Sequence, residues 1–188
     1  MIVNIGGGST ETAVISLGGV VVHSSVRVAG NKIDEAVVSY IRRKYNLLIG
    51  ETTSETIKID IGNAIPDEIR KQYRTMDVRG RDSVTGLPKT VVLNELQIND
   101  AIKSTLMEIV RGVKEVLEKC PPELAADIID KGIVMSGGTS LLTNFDKLMT
   151  KETGVPCHNA EDSLLCVARG TGVAMENLAL YKRSINRK

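Results

Sequence analysis

Residues 2–10 read Ile2-Val3-Asn4-Ile5-Gly6-Gly7-Gly8-Ser9-Thr10, and the chain continues Glu11-Thr12-Ala13-Val14-Ile15-Ser16-Leu17. A short run suited to a buried strand enters three glycines, and a second β-rich run leaves them. Without Cβ atoms the triplet lets backbone approach a phosphate. The amides of Gly6, Gly7, Gly8 and Ser9 can form an anion nest, with the Ser9 and Thr10 hydroxyls as further donors. An ordinary hairpin turn fits the same residues. The strand–turn–strand order separates this loop from the P-loop and the Rossmann fingerprint, where a helix follows the glycines.

Outward from the triplet, residues 2–5, 11–17 and 20–28 read as a three-strand meander, its second turn a Gly18-Gly19 hairpin. Gly30 ends the run and Asn31 can cap a helix over 32–45, with Ile33, Val37, Tyr40 and Ile41 on one face. Composition shifts near Gly50. Thr52-Thr-Ser-Glu55 has the form of a capping box opening a short helix through Ile61, and Pro66-Asp-Glu-Ile-Arg-Lys71 can start a turn. Residues 73–93 read as two polar strands around Thr85-Gly-Leu-Pro88. The helix-plus-hairpin character of 46–97 marks a small α+β insertion.

The clearest helix follows, Asn99 to Lys119, with Ile102, Leu106, Ile109, Val113, Val116 and Leu117 at three-to-four spacing and Pro121-Pro122 as its stop. A second buried strand then ends in glycines, Gly132-Ile-Val-Met-Ser-Gly-Gly-Thr139. A helix over 144–153, a short strand over 155–158 and a helix from Ser163 complete the chain. In that last helix Ala168, Gly170, Gly172 and Ala174 form a small-residue stripe suited to close packing. The order describes an RNase H-like α/β unit with an insertion. Gly6–Gly8 and Gly137-Gly138 both fall at the carboxyl ends of strands, where open α/β sheets place ligands.

The bulk numbers limit the alternatives. The 188 residues carry 42% hydrophobic and 25% charged side chains, which suits one full core. A net charge of +1, 3% aromatics and no Trp argue against a nucleic-acid or electrostatic membrane binder. The first strands lack the carboxylate cluster a nuclease of this fold needs. Cys120, Cys157 and Cys166 have no metal-ligand spacing, so reduced thiols in the cytosol are expected, with Cys157 and Cys166 as small core residues. His23 and His158 lack ligand partners at useful spacing and read as structural. No stretch nears the ~20 apolar residues of a membrane span, and no signal peptide is expected ahead of the first strand.

Five stretches carry a family resemblance: Ile5-Gly-Gly-Gly-Ser-Thr-Glu-Thr-Ala-Val-Ile-Ser-Leu-Gly-Gly19, Tyr40-Ile-Arg-Arg-Lys-Tyr-Asn-Leu-Leu-Ile-Gly50, Arg79-Gly-Arg-Asp-Ser-Val-Thr-Gly-Leu-Pro88, Ile133-Val-Met-Ser-Gly-Gly-Thr-Ser-Leu-Leu142 and Cys166-Val-Ala-Arg-Gly-Thr-Gly172. The chain resembles the MreB family of bacterial actins. The glycine loops alone fit any actin-like ATPase, sugar kinases and chaperones included; the middle stretches are specific to MreB. The match covers the second half of that fold, with 1–45 and 98–188 as subdomain IIA and 46–97 as subdomain IIB.

By this resemblance Gly6, Gly7, Gly8, Ser9 and Thr10 match the second phosphate loop, and Gly137 and Gly138 the adenosine motif. Glu55 and Lys58 match a Glu and Lys flanking adenine and ribose. Their i, i+3 spacing places both on one helix face, where a solvated surface pair is the plainer reading. The family has Asp where this chain has Asn4 and Asn31, and a neutral amide is a poorer partner for hydrated Mg²⁺. The first phosphate loop and the catalytic Glu belong to the family's preceding half. Hydrolysis is therefore not expected from these residues alone, and no catalytic or metal-binding residue is assigned.

The resemblance implies the nucleotide-binding half of an actin that forms cytoskeletal filaments and directs cell shape and cell-wall elongation. ATP with Mg²⁺ is the implied ligand of the complete protein. The implied partners are like subunits and membrane proteins of the elongation machinery, in a cytoplasmic protein that meets the membrane through its filament. Neither nucleic acid nor direct membrane insertion by this half is expected. The alternative is a stand-alone, non-hydrolysing interaction module of the same fold.

Overall fold

The computed structural model describes residues 1–67, 72–178 and 181. Strands β1 (Ile2–Ile5), β2 (Thr10–Ser16) and β3 (Gly19–Val26) form the expected meander. They continue through β7 (Ile133–Ser136) and β8 (Cys157–Asn159) into one five-stranded sheet of order β3-β2-β1-β7-β8. The meander is antiparallel, with Ile2 opposite Ala13, whereas β1, β7 and β8 run parallel, with Ile2 also opposite Val134. The change of direction at β1 brings both glycine loops to one end of the sheet.

Strand alternation fixes which face is buried. Val3 and Ile5 are fully buried, while Ile2 on the opposite face is half-exposed. Helices α1 (Gly30–Tyr45) and α3 (Glu95–Glu118) supply the matching stripes. Ile33, Val37, Tyr40 and Ile41 point inward from α1; Ile98, Ile102, Leu106, Ile109, Val113 and Val116 do so from α3. Helix α5 (Phe145–Thr153) adds Phe145 and Met149 to the same core. Between α1 and α3 lie β4 (Leu47–Leu48), α2 (Glu51–Ile61), β5 (Thr75–Asp82) and β6 (Pro88–Asn94), whose strands form a separate antiparallel sheet of order β4-β5-β6.

Several local details depart from the sequence reading. The meander hairpin turns on Leu17 and Gly18, both at positive φ, one residue before the expected pair. Helix α1 starts at Gly30, so Asn31 lies inside it and caps nothing. Helix α2 exists without a capping box: Gly50 is its N-cap, and the Ser54 hydroxyl donates to the Glu51 carbonyl. The true box opens α3, four residues before the expected Asn99. There Gln97 N–H donates to Asn94 Oδ1, and Asn94 N–H to Gln97 Oε1, each at 3.0 Å.

Helix α4 (Pro122–Lys131) was not anticipated, because Pro121-Pro122 reads as a stop. Pro122 occupies the first helical position, where its missing N–H breaks no bond. Helix α6 (Cys166–Glu176) begins three residues after Ser163. Among the described residues its small-residue stripe forms no tight packing: α6 has no buried residue, and a Cβ at Gly170 or Gly172 would meet no atom within 4 Å. Cys120 is buried and Cys157 is half-buried against the core, whereas Cys166 is half-buried and lies apart from it. The turn expected at Pro66–Lys71 falls largely outside the described residues.

The Asn94 cap offers a direct check. Asn94→Ala should destabilise the chain by about 1 kcal/mol, read as a lower denaturant midpoint at unchanged slope. An unchanged midpoint would mean that water caps α3 equally well.

Candidate functional site

At the carboxyl ends of β1 and β7 the two glycine loops converge on the start of α1. The Gly6 carbonyl accepts from the Gly30 amide at 3.1 Å and from the Thr139 hydroxyl at 2.7 Å; the Gly7 carbonyl accepts from the Asn31 amide at 2.8 Å. Gly6 N–H donates to the Ser9 carbonyl and closes the turn. It is thus not free to join a nest, whereas the amides of Gly7 and Gly8 meet no backbone acceptor among the described residues. The contact at α1 is tight enough to require glycine. A Cβ at Gly30 would stand 2.6 Å from Thr139 Oγ1 and 3.3 Å from the Gly6 carbonyl oxygen.

The second loop has its own constraint. Gly137 sits at φ +87°, and a Cβ there would lie 2.3 Å from the Ile5 carbonyl oxygen. Its amide donates to the Ser163 carbonyl at 2.9 Å, and the chain then turns through a short 3-10 helix, Gly138–Leu141. β7 therefore lies flush against the end of β1, leaving Gly138 at the surface between them.

These segments enclose a cleft of about 510 Å³, a size that suits a small-molecule ligand. Gly6 and Gly7 line it from the first loop, Gly30 and Asn31 from the start of α1, and Gly138, Thr139, Leu141 and Leu142 from the second loop, with Leu164 beyond. Helix α2 contributes Glu55, Lys58 and Ile59. Of the residues singled out in the sequence, Gly6, Gly7, Gly138, Glu55 and Lys58 come together here, from segments up to 132 positions apart (138 − 6). Gly8, Ser9, Thr10 and Gly137 do not line the cleft. Thr10 is buried, its hydroxyl donating to the Val28 carbonyl at 2.7 Å, so it braces the meander and is no exposed donor.

Sequence reading missed Gly30, Thr139, Ile59, Leu141, Leu142 and Leu164 as cleft residues, and it missed Asp34. Lys58 Nζ lies 2.8 Å from Asp34 Oδ2, and the two side chains are only 12% and 17% exposed. Burial pushes the Asp34 carboxyl above its ordinary pKa; the hydrogen bond and charge of Lys58 pull it back, and Glu55 pushes it up again. The i, i+3 spacing of Glu55 and Lys58 was visible locally. The partner on α1 was not, since it lies 24 residues away.

Behind the α2 side of the cleft lies a buried polar network. Glu95, 1% exposed, accepts from the Asn63 amide at Oε1 and from Arg74 Nε at Oε2, the latter at 3.4 Å. Arg74 also donates to the carbonyls of Asp60 and Gly62 and to Thr143 Oγ1. Asn144 donates to Asn63 Oδ1 at 2.9 Å, and Asn99 to the Asn63 and Ala64 carbonyls. The network ties the end of α2 and the start of β5 to α3 and to the segment following the second glycine loop.

This sheet order, with paired glycine loops at one end, defines the actin-like class. The chain superposes on the MamK double helical filament with a TM-score of 0.67 at 19% identity, covering 85% of this chain and 48% of that one. It superposes on MreB 5 of Spiroplasma citri bound to AMPPNP with a TM-score of 0.88 at 39% identity, covering 98% of this chain and 54% of that one. The family model described as MreB/Mbl protein matches residues 1–183.

The chain belongs to the MreB/Mbl family. It is 50% identical over 182 residues to the cell shape-determining protein MreB of Escherichia coli (strain K12), which covers 96% of this chain and 51% of that protein. Against the cell shape-determining protein Mbl of Bacillus subtilis (strain 168) it is 45% identical over 187 residues, 99% of this chain and 55% of that protein. The chain thus spans about half the length of these curated relatives. No helix among the described residues is long and apolar enough to cross a membrane.

Proposed function

We propose that this chain is the nucleotide-binding half of a bacterial actin that assembles into cytoskeletal filaments and directs cell shape and cell-wall elongation. The observation that carries the reading is the cleft itself, where both glycine loops and the Glu55–Lys58 face of α2 converge. A side chain at Gly7, Gly30 or Gly138 would meet a neighbour within 3.0 Å, so these parts of the lining are bare backbone, beside the side chains of Leu141, Leu142 and Leu164. That suits a flat nucleoside and its phosphates. A structural neighbour bound to AMPPNP and another bound to ADP support the ligand class.

In this reading residues 1–45 and 98–188 are subdomain IIA and 46–97 subdomain IIB. The amides of Gly7 and Gly8 hold outer phosphates, while Glu55, Lys58 and Gly138 bound the nucleoside. Ser9, Thr10 and Gly137 act as supports: the Ser9 carbonyl accepts from Gly6 N–H, the Thr10 hydroxyl donates to the Val28 carbonyl, and Gly137 N–H donates to the Ser163 carbonyl. The protein works in the cytoplasm. Its partners are like subunits and, at the membrane, proteins of the elongation machinery.

The donor set does not fit a protein-held Mg²⁺. Asn4 and Asn31 offer neutral amide oxygens, Asn4 Oδ1 already accepts from Ser136 Oγ at 3.1 Å, and the described residues contain no cluster of three or more acidic, His or Cys ligands. Mg²⁺ then enters with the nucleotide of the complete protein. Among the described residues Glu55 is the one carboxylate lining the cleft, on the same helix as Lys58. Nucleotide binding without turnover is the expected behaviour of these residues by themselves. The same two asparagines favour the second reading, a non-hydrolysing interaction module of this fold.

Titration calorimetry with AMPPNP tests the assignment. Lys58→Ala should weaken binding about tenfold, the scale of one charge-assisted hydrogen bond. Absence of nucleotide binding by the unaltered protein, together with partner capture that ignores nucleotide, would leave the interaction-module reading in its place.

A further inference from the structure

Helix α1 bonds to two parts of the cleft lining, the glycine loop and Lys58, from positions about one helical turn apart. Its first residues, Gly30 and Asn31, fasten the glycine loop through backbone bonds of 3.1 and 2.8 Å. Asp34 fastens the Lys58 ammonium at 2.8 Å. We infer that Asp34 is a positioning residue for the nucleotide cleft, holding Lys58 of α2 at a fixed place relative to the glycine loop before ligand arrives. The inference rests on the nucleotide reading of the cleft and adds to it a residue outside the cleft lining.

Three observations carry it. A lysine stem has four rotatable bonds, and freezing them on binding costs affinity unless the fold has already done so. The Lys58 side chain is only 12% exposed, so Asp34 holds it within the packed wall. Asp34 Oδ1 is buried without a hydrogen-bond partner among the described residues, so the grip of the carboxylate is directed through Oδ2 to Lys58. Asp34 itself lines a second cleft of about 610 Å³ on the other side of Asn31 and Glu55, so the ion pair forms part of the partition between the two clefts. Ligand-facing chemistry stays with Lys58 and Glu55; Asp34 acts through Lys58.

The test uses the natural protein that contains these residues, with dissociation constants measured for ATP, ADP, adenosine and inorganic tripolyphosphate. Asp34→Ala should weaken the three adenosine ligands alike, by about fivefold, the scale of one side chain immobilised on binding. Tripolyphosphate binding should be unchanged, because Gly30 and Asn31 still hold the phosphate loop. Lys58→Ala should show the same pattern, and the double variant should be no weaker than Lys58→Ala. Asp34→Glu, which keeps the carboxylate on a longer stem, should recover part of the loss.

A purely structural pin between α1 and α2 would instead lower the melting temperature and weaken all four ligands together. Asp34→Asn, isosteric and uncharged, replaces the alanine variant if that one does not fold. Wild-type affinity in Asp34→Asn or Asp34→Ala alongside weakened binding in Lys58→Ala overturns the positioning role and leaves the cleft assignment standing. Unchanged nucleotide affinity in Lys58→Ala overturns both.

Discussion

Replacing Gly137 by alanine is expected to lower the melting temperature by roughly 6–12 °C, equivalent to about 3 kcal/mol in a domain of this size. Two effects add. The residue sits at φ +87°, a conformation that costs any L side chain, and the new Cβ would stand 2.3 Å from the Ile5 carbonyl oxygen. The nearest atoms it would meet are the backbone carbonyl oxygen and carbon of Ile5, at the end of β1, and not a flexible side-chain end. To relieve the clash, β1 must move where it delivers Gly6 and Gly7, so nucleotide affinity should fall together with stability.

Two controls separate these causes. Gly154→Ala places alanine at φ +73° with nothing within 4 Å, isolating the backbone strain at about 1 kcal/mol. Gly8→Ala puts a methyl group into open space at ordinary φ and should be close to neutral. A Gly137→Ala protein as stable as the Gly154→Ala protein would show that the strands separate at little cost, contrary to the packing described.

The second large effect is expected at Glu95. Glu95→Ala removes the acceptor of Asn63 and Arg74 from a site only 1% exposed and should cost about 1–3 kcal/mol, because the buried Asn63 amide loses its partner while the more exposed Arg74 can turn to water. The pH dependence has a definite sign. Burial by itself pushes the Glu95 carboxyl up, but the hydrogen bonds from Asn63 and Arg74, with the Arg74 charge, more than offset it and leave the pKa below the ordinary value.

A depressed folded-state pKa means that the unfolded chain takes up the proton first as pH falls. Glu95 therefore contributes its full stabilisation above the unfolded carboxylate pKa and loses it as pH falls through the lower folded value. Glu95→Gln should flatten this acid-side decline while lowering stability at neutral pH, since one amide N–H must then face a donor. Chemical denaturation of both proteins across the acid range reads the difference. Parallel pH profiles would locate the acid sensitivity elsewhere.

Much of the architecture was legible because it is encoded in short-range pattern. The Val- and Ile-rich runs around Gly6–Gly8 give the meander, the spacing from Ile102 to Val116 gives α3, and Gly132–Thr139 gives the strand beside β1. What escaped depended on context. Thr52–Glu55 satisfies the capping pattern yet lies inside α2, where Ser54 bonds back to its own helix, while the working pair Asn94 and Gln97 was passed over at the end of a strand. Pro121-Pro122 both ends α3 and starts α4, and only the second role needs the three-dimensional turn.

The site divides the same way. Gly6, Gly7 and Gly138 announce themselves as glycines, and Glu55 and Lys58 as a helical pair. Asp34 and Thr139 have no local signature. Asp34 is one of several charged residues on α1, and Thr139 matters because folding sets its hydroxyl 2.7 Å from the Gly6 carbonyl. The asparagine network beside Glu95 is invisible for the same reason: Asn99 and Asn144 are far from Asn63 in the chain and gain meaning only when folding brings both to Asn63, which donates to the Glu95 carboxylate.

Helix α6 has a bearing on how tolerance to mutation should be measured. It offers Val167, Val173 and Met175 to the surface, and Leu165 just before it is equally open. Polar replacements there remove no buried contact among the described residues, so a library of variants sorted by foldedness should accept them freely. The same library sorted by growth or cell morphology has no such reason to be indifferent. Positions that are silent in the first screen and intolerant in the second would trace, residue by residue, where this surface meets something else.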